Sequence, residues 1–327
     1  MIRRALVLTL LAFGSSAATA SADYVEVERP YSYVDALGVN SSGVVLGMGS
    51  PDPADPDTQV PFTWNGAFTQ LPPSPSAAGQ AIVRTVAYDI NDQGRTVGIT
   101  GYTNPSYVCT SWQSRINRGT VWAGAGVLTE IGGLPHAGDT SPCVWTESTG
   151  PEAINGAGVV LGRSEGKTVT AAAGSSTVTP LPGSCPTTTE SAMAINDAGT
   201  VVLQCSTGAR TVSALGVVTD LPAGFSPVRR GITPSGVVLG RIGSPSLPAK
   251  VVGASLVTTL QPLAGYTTAE AEAIADDGTV VGRSGSGATT RATLWRPDGT
   301  VVDLNTMAPG ATGPLVTATD ISPDGGY

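Results

Sequence analysis

The stretch Ala271–Thr306, AEAIADDGTVVGRSGSGATTRATLWRPDGTVVDLNT, decides how the whole chain is read. It holds four short apolar runs, Ala271–Ala275, Thr279–Gly282, Arg291–Trp295 and Thr300–Leu304, and the first and last pairs are each joined by a turn built on Asp-Gly. Asp276-Asp277-Gly278 and Pro297-Asp298-Gly299 put the residue that tolerates positive φ where antiparallel strands must reverse. The flanking Val, Ile, Leu, Thr and Trp are strand formers. Thr279-Val280-Val281 and Thr300-Val301-Val302 are continuous runs, which suits strands covered on both faces. Two hairpins, or four strands in about 40 residues, make one propeller blade.

Working outward, the same turn recurs as Val39-Asn40-Ser41-Ser42-Gly43, Ile90-Asn91-Asp92-Gln93-Gly94, Ile154-Asn155-Gly156-Ala157-Gly158, Ile195-Asn196-Asp197-Ala198-Gly199 and Ile232-Thr233-Pro234-Ser235-Gly236. Ile274-Ala275-Asp276-Asp277-Gly278 and Ile321-Ser322-Pro323-Asp324-Gly325 complete the series. The glycines at 43, 94, 158, 199, 236, 278 and 325 are separated by 51, 64, 41, 37, 42 and 47 residues. A β-solenoid would need a period nearer 20 to 25 residues, roughly half of this. The expectation is an all-β propeller of six to seven four-stranded antiparallel blades, with Gly43, Gly94, Gly158, Gly199, Gly236 and Gly278 in equivalent hairpin turns.

This Ile-Asn-x-x-Gly-x-Val-Val-Gly unit, followed by an apolar segment ending in Trp, resembles the bacterial extracellular repeats of the HAF family over nearly the whole mature chain. The His-Ala-Phe triplet that names that family is replaced here by Val60-Pro61-Phe62-Thr63-Trp64, Gly119-Thr120-Val121-Trp122 and Arg291-Ala292-Thr293-Leu294-Trp295. The resemblance implies secretion and a propeller-like repeat architecture. It implies no reaction.

Met1-Ile2-Arg3-Arg4, the apolar Ala5–Phe13 and the small residues at Ala18–Ala22 read as a secretory leader, residues 1–22, ahead of one repeat domain, residues 23–327. No later segment has the ~18–20 uninterrupted apolar residues of a membrane span. The expected location is therefore outside the cytoplasm, in the periplasm or the medium. Two positive charges leave with Arg3 and Arg4, so the formal charge of −8 becomes −10. That acidity argues against nucleic acid and anionic membrane as partners. A monomer that binds an extracellular protein or carbohydrate is expected.

Tyr24-Val25-Glu26-Val27-Glu28 alternates and reads as a lone outer strand that latches the last blade, joined there by Val316–Ile321. Two readings of the C-terminus stay open: a seventh blade cut short at Tyr327, or six closed blades with an extra edge. The long spacings in the first half come from inserts at 50–60, 72–83, 99–119 and 133–150. Loops of this length carry function more often than the scaffold does. The last two inserts hold Tyr102, Tyr107, Trp112, Arg115 and His136, in a chain with 5% aromatics and a single histidine. These five are the expected contact residues.

Four cysteines in an exported chain read as two disulfides with three possible connectivities. Local pairing, Cys109 with Cys143 and Cys185 with Cys205, is the economical choice. No Cys-x-x-Cys occurs, and one histidine is too few for a zinc set, so no metal or cofactor is expected. Gly162-Arg163-Ser164-Glu165-Gly166 matches a hydrolase nucleophile elbow, but that motif needs a following helix and a histidine base, whereas Lys167-Thr168-Val169-Thr170 continues as strand. Asp89–Gly94 and Asp320–Gly325 share oxygen spacing with calcium loops but lack the distant Glu. No catalytic residue is assigned. A non-catalytic binding module is the first reading; a carbohydrate-active hydrolase or lyase on the same scaffold, and a surface component whose array is itself the product, are the rivals.

Overall fold

A computed structural model of the chain describes residues 33–50, 59–75, 80–103, 115–123, 126–134, 149–183, 185, 190–286, 289–311 and 313–326, together with the short strands β1 (Leu6–Leu8) and β2 (Tyr24–Glu26). Six four-stranded antiparallel sheets follow one another along the chain as the blades of a β-propeller. Blade one is β3 (Tyr33–Val39), β4 (Val45–Ser50), β5 (Val60–Trp64) and β6 (Phe68–Gln70); blade two is β7 (Ile82–Ile90), β8 (Arg95–Thr103), β9 (Arg115–Ala123) and β10 (Val127–Ile131). Blade three is β11 (Thr149–Ile154), β12 (Val160–Ser164), β13 (Lys167–Ala171) and β14 (Val178–Pro180); blade four is β15 (Glu190–Ile195), β16 (Val201–Cys205), β17 (Gly208–Val212) and β18 (Val218–Asp220). Blade five is β19 (Ser226–Ile232), β20 (Val238–Ile242), β21 (Leu247–Val252) and β22 (Ser255–Thr259); blade six is β23 (Thr268–Ile274), β24 (Val280–Ser286), β25 (Thr289–Trp295) and β26 (Val301–Asp303). Every ladder is antiparallel, which excludes the solenoid.

The repeat motif explains itself position by position. Its central glycines, from Gly43 to Gly278, all have φ between 72° and 89°, a region where a Cβ is strained. The Val-Val pairs fill both faces of each second strand, so Val201, Val202, Val280 and Val281 are all buried. The closing glycine answers a different need. At Gly98, Gly240 and Gly282 a Cβ would fall inside contact distance of a first-strand carbonyl oxygen, that of Val86, Ser226 or Glu270. The first strand presses close because it bulges: near the turn in blades one to four and six the pairing skips Leu37, Tyr88, Glu152, Met193 and Glu272 respectively, and in blade two it skips Val83 as well.

The asparagine of the motif does two things at once. Asn40 Oδ1 accepts from Val44 N at 2.9 Å, Asn91 from Arg95 N at 2.9 Å, Asn155 from Val159 N at 2.8 Å and Asn196 from Thr200 N at 2.9 Å, which closes each turn. The amide nitrogen of the same side chain donates to the next blade, from Asn40 to Asn91 O, Asn91 to Asn155 O, Asn155 to Asn196 O and Asn196 to Thr233 O, at 2.8–3.1 Å. Beside this ladder, Asp92 accepts from Ser41 N at 2.8 Å and Asp197 from Gly156 N at 2.6 Å, again across blade boundaries.

Between blades lie the apolar layers. Trp122 and Trp295 end the third strands of blades two and six, fully buried, with the indole N–H donated to the Pro72 and Gln261 carbonyls, both at 2.6 Å. The Cys185–Cys205 disulfide forms, with Cα atoms 5.7 Å apart, inside the layer shared by blades three and four. Next to it the buried Glu190 accepts from Cys185 N at 2.8 Å and from Thr168 N of blade three.

Two expectations change. β2 does not latch blade six; it pairs with β1, Leu6 opposite Glu26, a partner nearer in sequence that closes a shorter loop than the far side of the ring would. The segment Val316–Ile321 is not a fourth-strand partner either. It runs between blades six and one at the inner position, with Ala318 N donating to Gly282 O and Ala292 N to Leu315 O.

Replacing Asn155 by Ala should cost about 1–3 kcal/mol, since it orphans Val159 N and removes one of the two donors to the Asn196 carbonyl, which keeps Gly199 N. A urea unfolding curve with a lowered midpoint and an unchanged slope is the expected record.

Candidate functional site: the central channel

The inner strands β3, β7, β11, β15, β19 and β23 line an axial channel, and at the end carrying the Asn-Gly turns it opens into a cavity of about 140 Å³. Its walls are the apolar residues that precede each motif asparagine or its substitute, Val39, Ile90, Ile154, Ile195, Ile232, Ile274 and Ile321, one from each copy. Asp92, Asp197 and Asp276 stand around the rim. Burial, and then the charges of Asp197, Asp92, Asp277 and Asp324, hold the Asp276 carboxyl above its ordinary pKa.

One cation organises the floor. In blade five the pairing of β19 jumps from Pro227 to Ile232, and within that unpaired run Arg230 adopts φ 58°. That conformation costs a non-glycine residue about 1–2 kcal/mol, and its contacts hold it there. Arg230 Nε lies 3.0 Å from Asp89 of blade two, and Nη1 lies 3.3 Å from Asp320 of the C-terminal segment. The guanidinium also donates to the Leu37 carbonyl of blade one and the Tyr88 carbonyl of blade two. Gly38 makes room, for a Cβ there would sit 2.8 Å from Nη1. Its neighbour Arg229 turns the other way and meets Glu152 of blade three at 2.7 Å.

The carboxylates carry the network onward. Asp89 accepts from Ile154 N of blade three at 2.9 Å, and Asp320 from Val39 N of blade one at 2.8 Å. Burial raises both their pKa values against the pull of Arg230, Asp320 to about 6. Burial also works against the Arg230 charge, but Asp89 and Asp320 outweigh it and hold the guanidinium above its usual value. Arg230 thus ties blades five, two and one and the C-terminal segment in a single buried cluster. Among the described residues no group of three or more His, Cys, Asp or Glu side chains is arranged to hold a metal ion.

The contact residues expected from sequence fare differently. Tyr102 is buried, its ring beneath the Arg118 guanidinium at 5.1 Å and its hydroxyl donated to Ser74 O at 2.9 Å. It is a packing residue, because β8 extends through Thr103 and is buried without a break from Thr96 to Tyr102. Arg115 opens β9, opposite Thr103. Tyr107, Trp112, His136, Cys109 and Cys143 lie outside the described residues, and so does the expected bridge between the last two. Ser164 of the elbow-like string is a strand residue, accepting from Leu134 N, and Glu165-Gly166 form the two-residue turn to β13.

The topology also fixes where the inserts emerge. In a four-stranded antiparallel blade the turns from first to second and from third to fourth strand lie at one end. The turn from second to third strand and the link to the next blade lie at the other. All four inserts are of the second kind, following β4, β6, β8 and β10, so they leave the ring on the face opposite the acidic rim.

The described residues therefore define a six-bladed β-propeller with an ion-paired channel floor. No family model matches the chain, and no curated protein matches it. Among solved structures it is similar to dipeptidyl peptidase 4 of Porphyromonas gingivalis, at 11% identity over 82% of this chain and 45% of that one, with a TM-score of 0.47. It is also similar to a structure from Agrobacterium tumefaciens described as TolB, at 13% identity over 74% of this chain and 87% of that one, with a TM-score of 0.44. The chain thus spans less than half the length of the peptidase, and neither likeness bears on function.

Two measurements probe the floor. Arg230→Met should cost about 3–5 kcal/mol in equilibrium unfolding at neutral pH, because it leaves two buried carboxylates facing each other. Asp320 holds its proton in the fold to about pH 6 but in the unfolded chain only to about 3.8. Its contribution to stability is therefore full below the lower value and is lost as pH rises through the higher one. Asp320→Asn should flatten the stability profile between about pH 4 and pH 6 relative to the parent.

Proposed function

We propose that the protein is an exported, non-catalytic propeller of the HAF-repeat type that, freed of residues 1–22, recognises an extracellular protein or carbohydrate with its insert-bearing face. The observation that carries this reading is the division of labour between the two ends of the ring. At one end the turns are short and repetitive, and their polar groups are used between blades: Asn40, Asn91, Asn155 and Asn196 in the ladder, Asp92 and Asp197 in the adjoining ties. At the other end the connections are long and unlike one another in sequence, and the described strand ends that flank them lie at the same end of the blades. Arg118 with Glu130, and Arg84 with Asn117, supply polar groups at the bases of the blade-two inserts.

The hydrolase or lyase alternative needs two carboxylates free to exchange protons with a substrate. The buried pair that the channel does contain, Asp89 and Asp320, is engaged by Arg230 and by backbone N–H groups of blades three and one. The proposal is tested by replacing residues 104–114 with a two-residue Asn-Gly turn, which keeps β8 and β9 in register. Thermal unfolding should be little changed, while retention on a panel of immobilised polysaccharides and cell-envelope proteins is lost. Retention by the shortened protein equal to that of the parent would reject the insert face.

A further inference from the structure

Along the inner strand of each blade one position departs from the repeat. Counting back from the apolar wall residue, the third place is alanine in blades one, two, four and six, as Ala36, Ala87, Ala192 and Ala271. The second place holds Leu37, Tyr88, Glu152, Met193, Arg230 and Glu272 in blades one to six. In every blade but the fifth this is the residue that the pairing skips near the turn, and a bulge re-aims the side chain it frees. All six are half-buried, and the residue that follows each of them is buried. A position that changes in size and chemistry while its neighbours repeat does not serve the packing of one blade on the next.

These places lie on the insert side of the wall residues, because each inner strand runs from the insert-bearing face towards its Asn-Gly turn. Arg229 of blade five reaches past blade four to Glu152 of blade three, and an ion pair between blades that are not neighbours has to cross the lumen. Tyr88 lies in the field of the same pair: burial raises its hydroxyl above the ordinary pKa, with Arg84 and Arg229 opposing and Glu152 adding. Gly150, at the alternate position of the strand that carries Glu152, leaves room beside them, for a Cβ there would meet no atom within 4 Å. On the turn side of this space the Arg230 cluster crosses the channel.

The charged groups here are already matched, Arg229 with Glu152 and, in blade six, Arg283 with Glu270. The Tyr88 hydroxyl and the Glu272 carboxyl are not: among the described residues neither has a hydrogen-bond partner. A charged ligand would have to part an ion pair to bind, whereas hydroxyl groups need only the remaining lone pairs of the carboxylates and the phenol. The tyrosine ring adds a flat apolar seat with a polar edge. We propose that this space takes one uncharged sugar residue, the end of a glycan, seated on the Tyr88 ring beside Gly150 and hydrogen-bonded through its hydroxyls to Tyr88, Glu152 and Arg229. The inference rests on the reading of the insert-bearing face as the recognition face, and it names the ligand class of that face.

The probes are the methyl glycosides of glucose, galactose, mannose and N-acetylglucosamine, with glucuronate and glucosamine as charged counterparts, each added to the purified protein and followed by saturation-transfer NMR. At least one neutral glycoside should receive saturation, and more of it than either charged sugar. Gly150→Leu should weaken that glycoside at least about tenfold with the thermal midpoint in place, because the added side chain enters open space. Tyr88→Ala should weaken it as much, and Tyr88→Phe, which keeps the ring and removes the hydroxyl, by less. Should one of these variants not fold, the others make the same comparison. The proposal is overturned if no neutral glycoside binds, if a charged sugar binds as well as the neutral ones, or if the variants bind as the parent does. Silence towards the glycosides together with retention lost on shortening residues 104–114 overturns this inference alone; equal retention by parent and shortened protein overturns the reading beneath it.

Discussion

A carboxamide side chain has an acceptor and donors on the same rigid plane, and the ring depends on using both. When the oxygen of Asn155 closes its own turn, the nitrogen necessarily points away from that turn, and the next blade's Asn196 carbonyl lies there. Turn shape and blade spacing are therefore one constraint. It explains why the asparagine cannot be exchanged freely for the aspartate or serine that would close a turn equally well. Where the motif reads Thr233 the hydroxyl still accepts from Val237 N, so the turn survives. At Ala275 no side-chain oxygen remains and the chain uses another device, the donation of Asp276 N to Pro323 O.

The places where the ladder gives out are the places where ions take over. Blades five and six and the seventh segment lack the asparagine, and it is from blade five that Arg230 crosses to Asp320, Asp89 and two carbonyls of the first blades. A largely buried cation with two carboxylates is weak evidence for stability by itself, since desolvation opposes the pairing. Here each carboxylate also accepts a backbone N–H of a neighbouring blade, so the cluster fixes the angular positions of five elements, blades one, two, three and five and the C-terminal segment. Its value is in specifying the closed arrangement.

The blades and the turn glycines were legible in the sequence because each is a local pattern that recurs along the chain, and the Cys185–Cys205 bridge because its two cysteines bracket a single hairpin 20 residues apart. Arg230 was not, because nothing in Val228-Arg229-Arg230-Gly231 reveals that the strand leaves its register there. A faint signal existed: of the seven copies only those at Asp89 and Asp320 place a carboxylate just before the wall residue, where the others have Gly or Ala. A pair of buried acids asks for a cation. Tyr102 misled for the opposite reason. The spacing of the glycines marks 99–119 as inserted chain, and inserted chain reads as loop, whereas β8 and β9 simply grow longer and β8 stays buried through Tyr102.

The direction of the ladder has a consequence for how the ring is made. Each rung runs from a blade to the one that follows it in the chain, across 51, 64, 41 and 37 residues, so a blade emerging during synthesis finds its predecessor already waiting. The contact between Val39 and Asp320 spans 281 residues and cannot form until almost the whole chain exists. On loop length alone, that last closure costs only about 1–2 kcal/mol more than any single rung. The slow logarithm is what lets assembly proceed outward from one end and still finish as a circle.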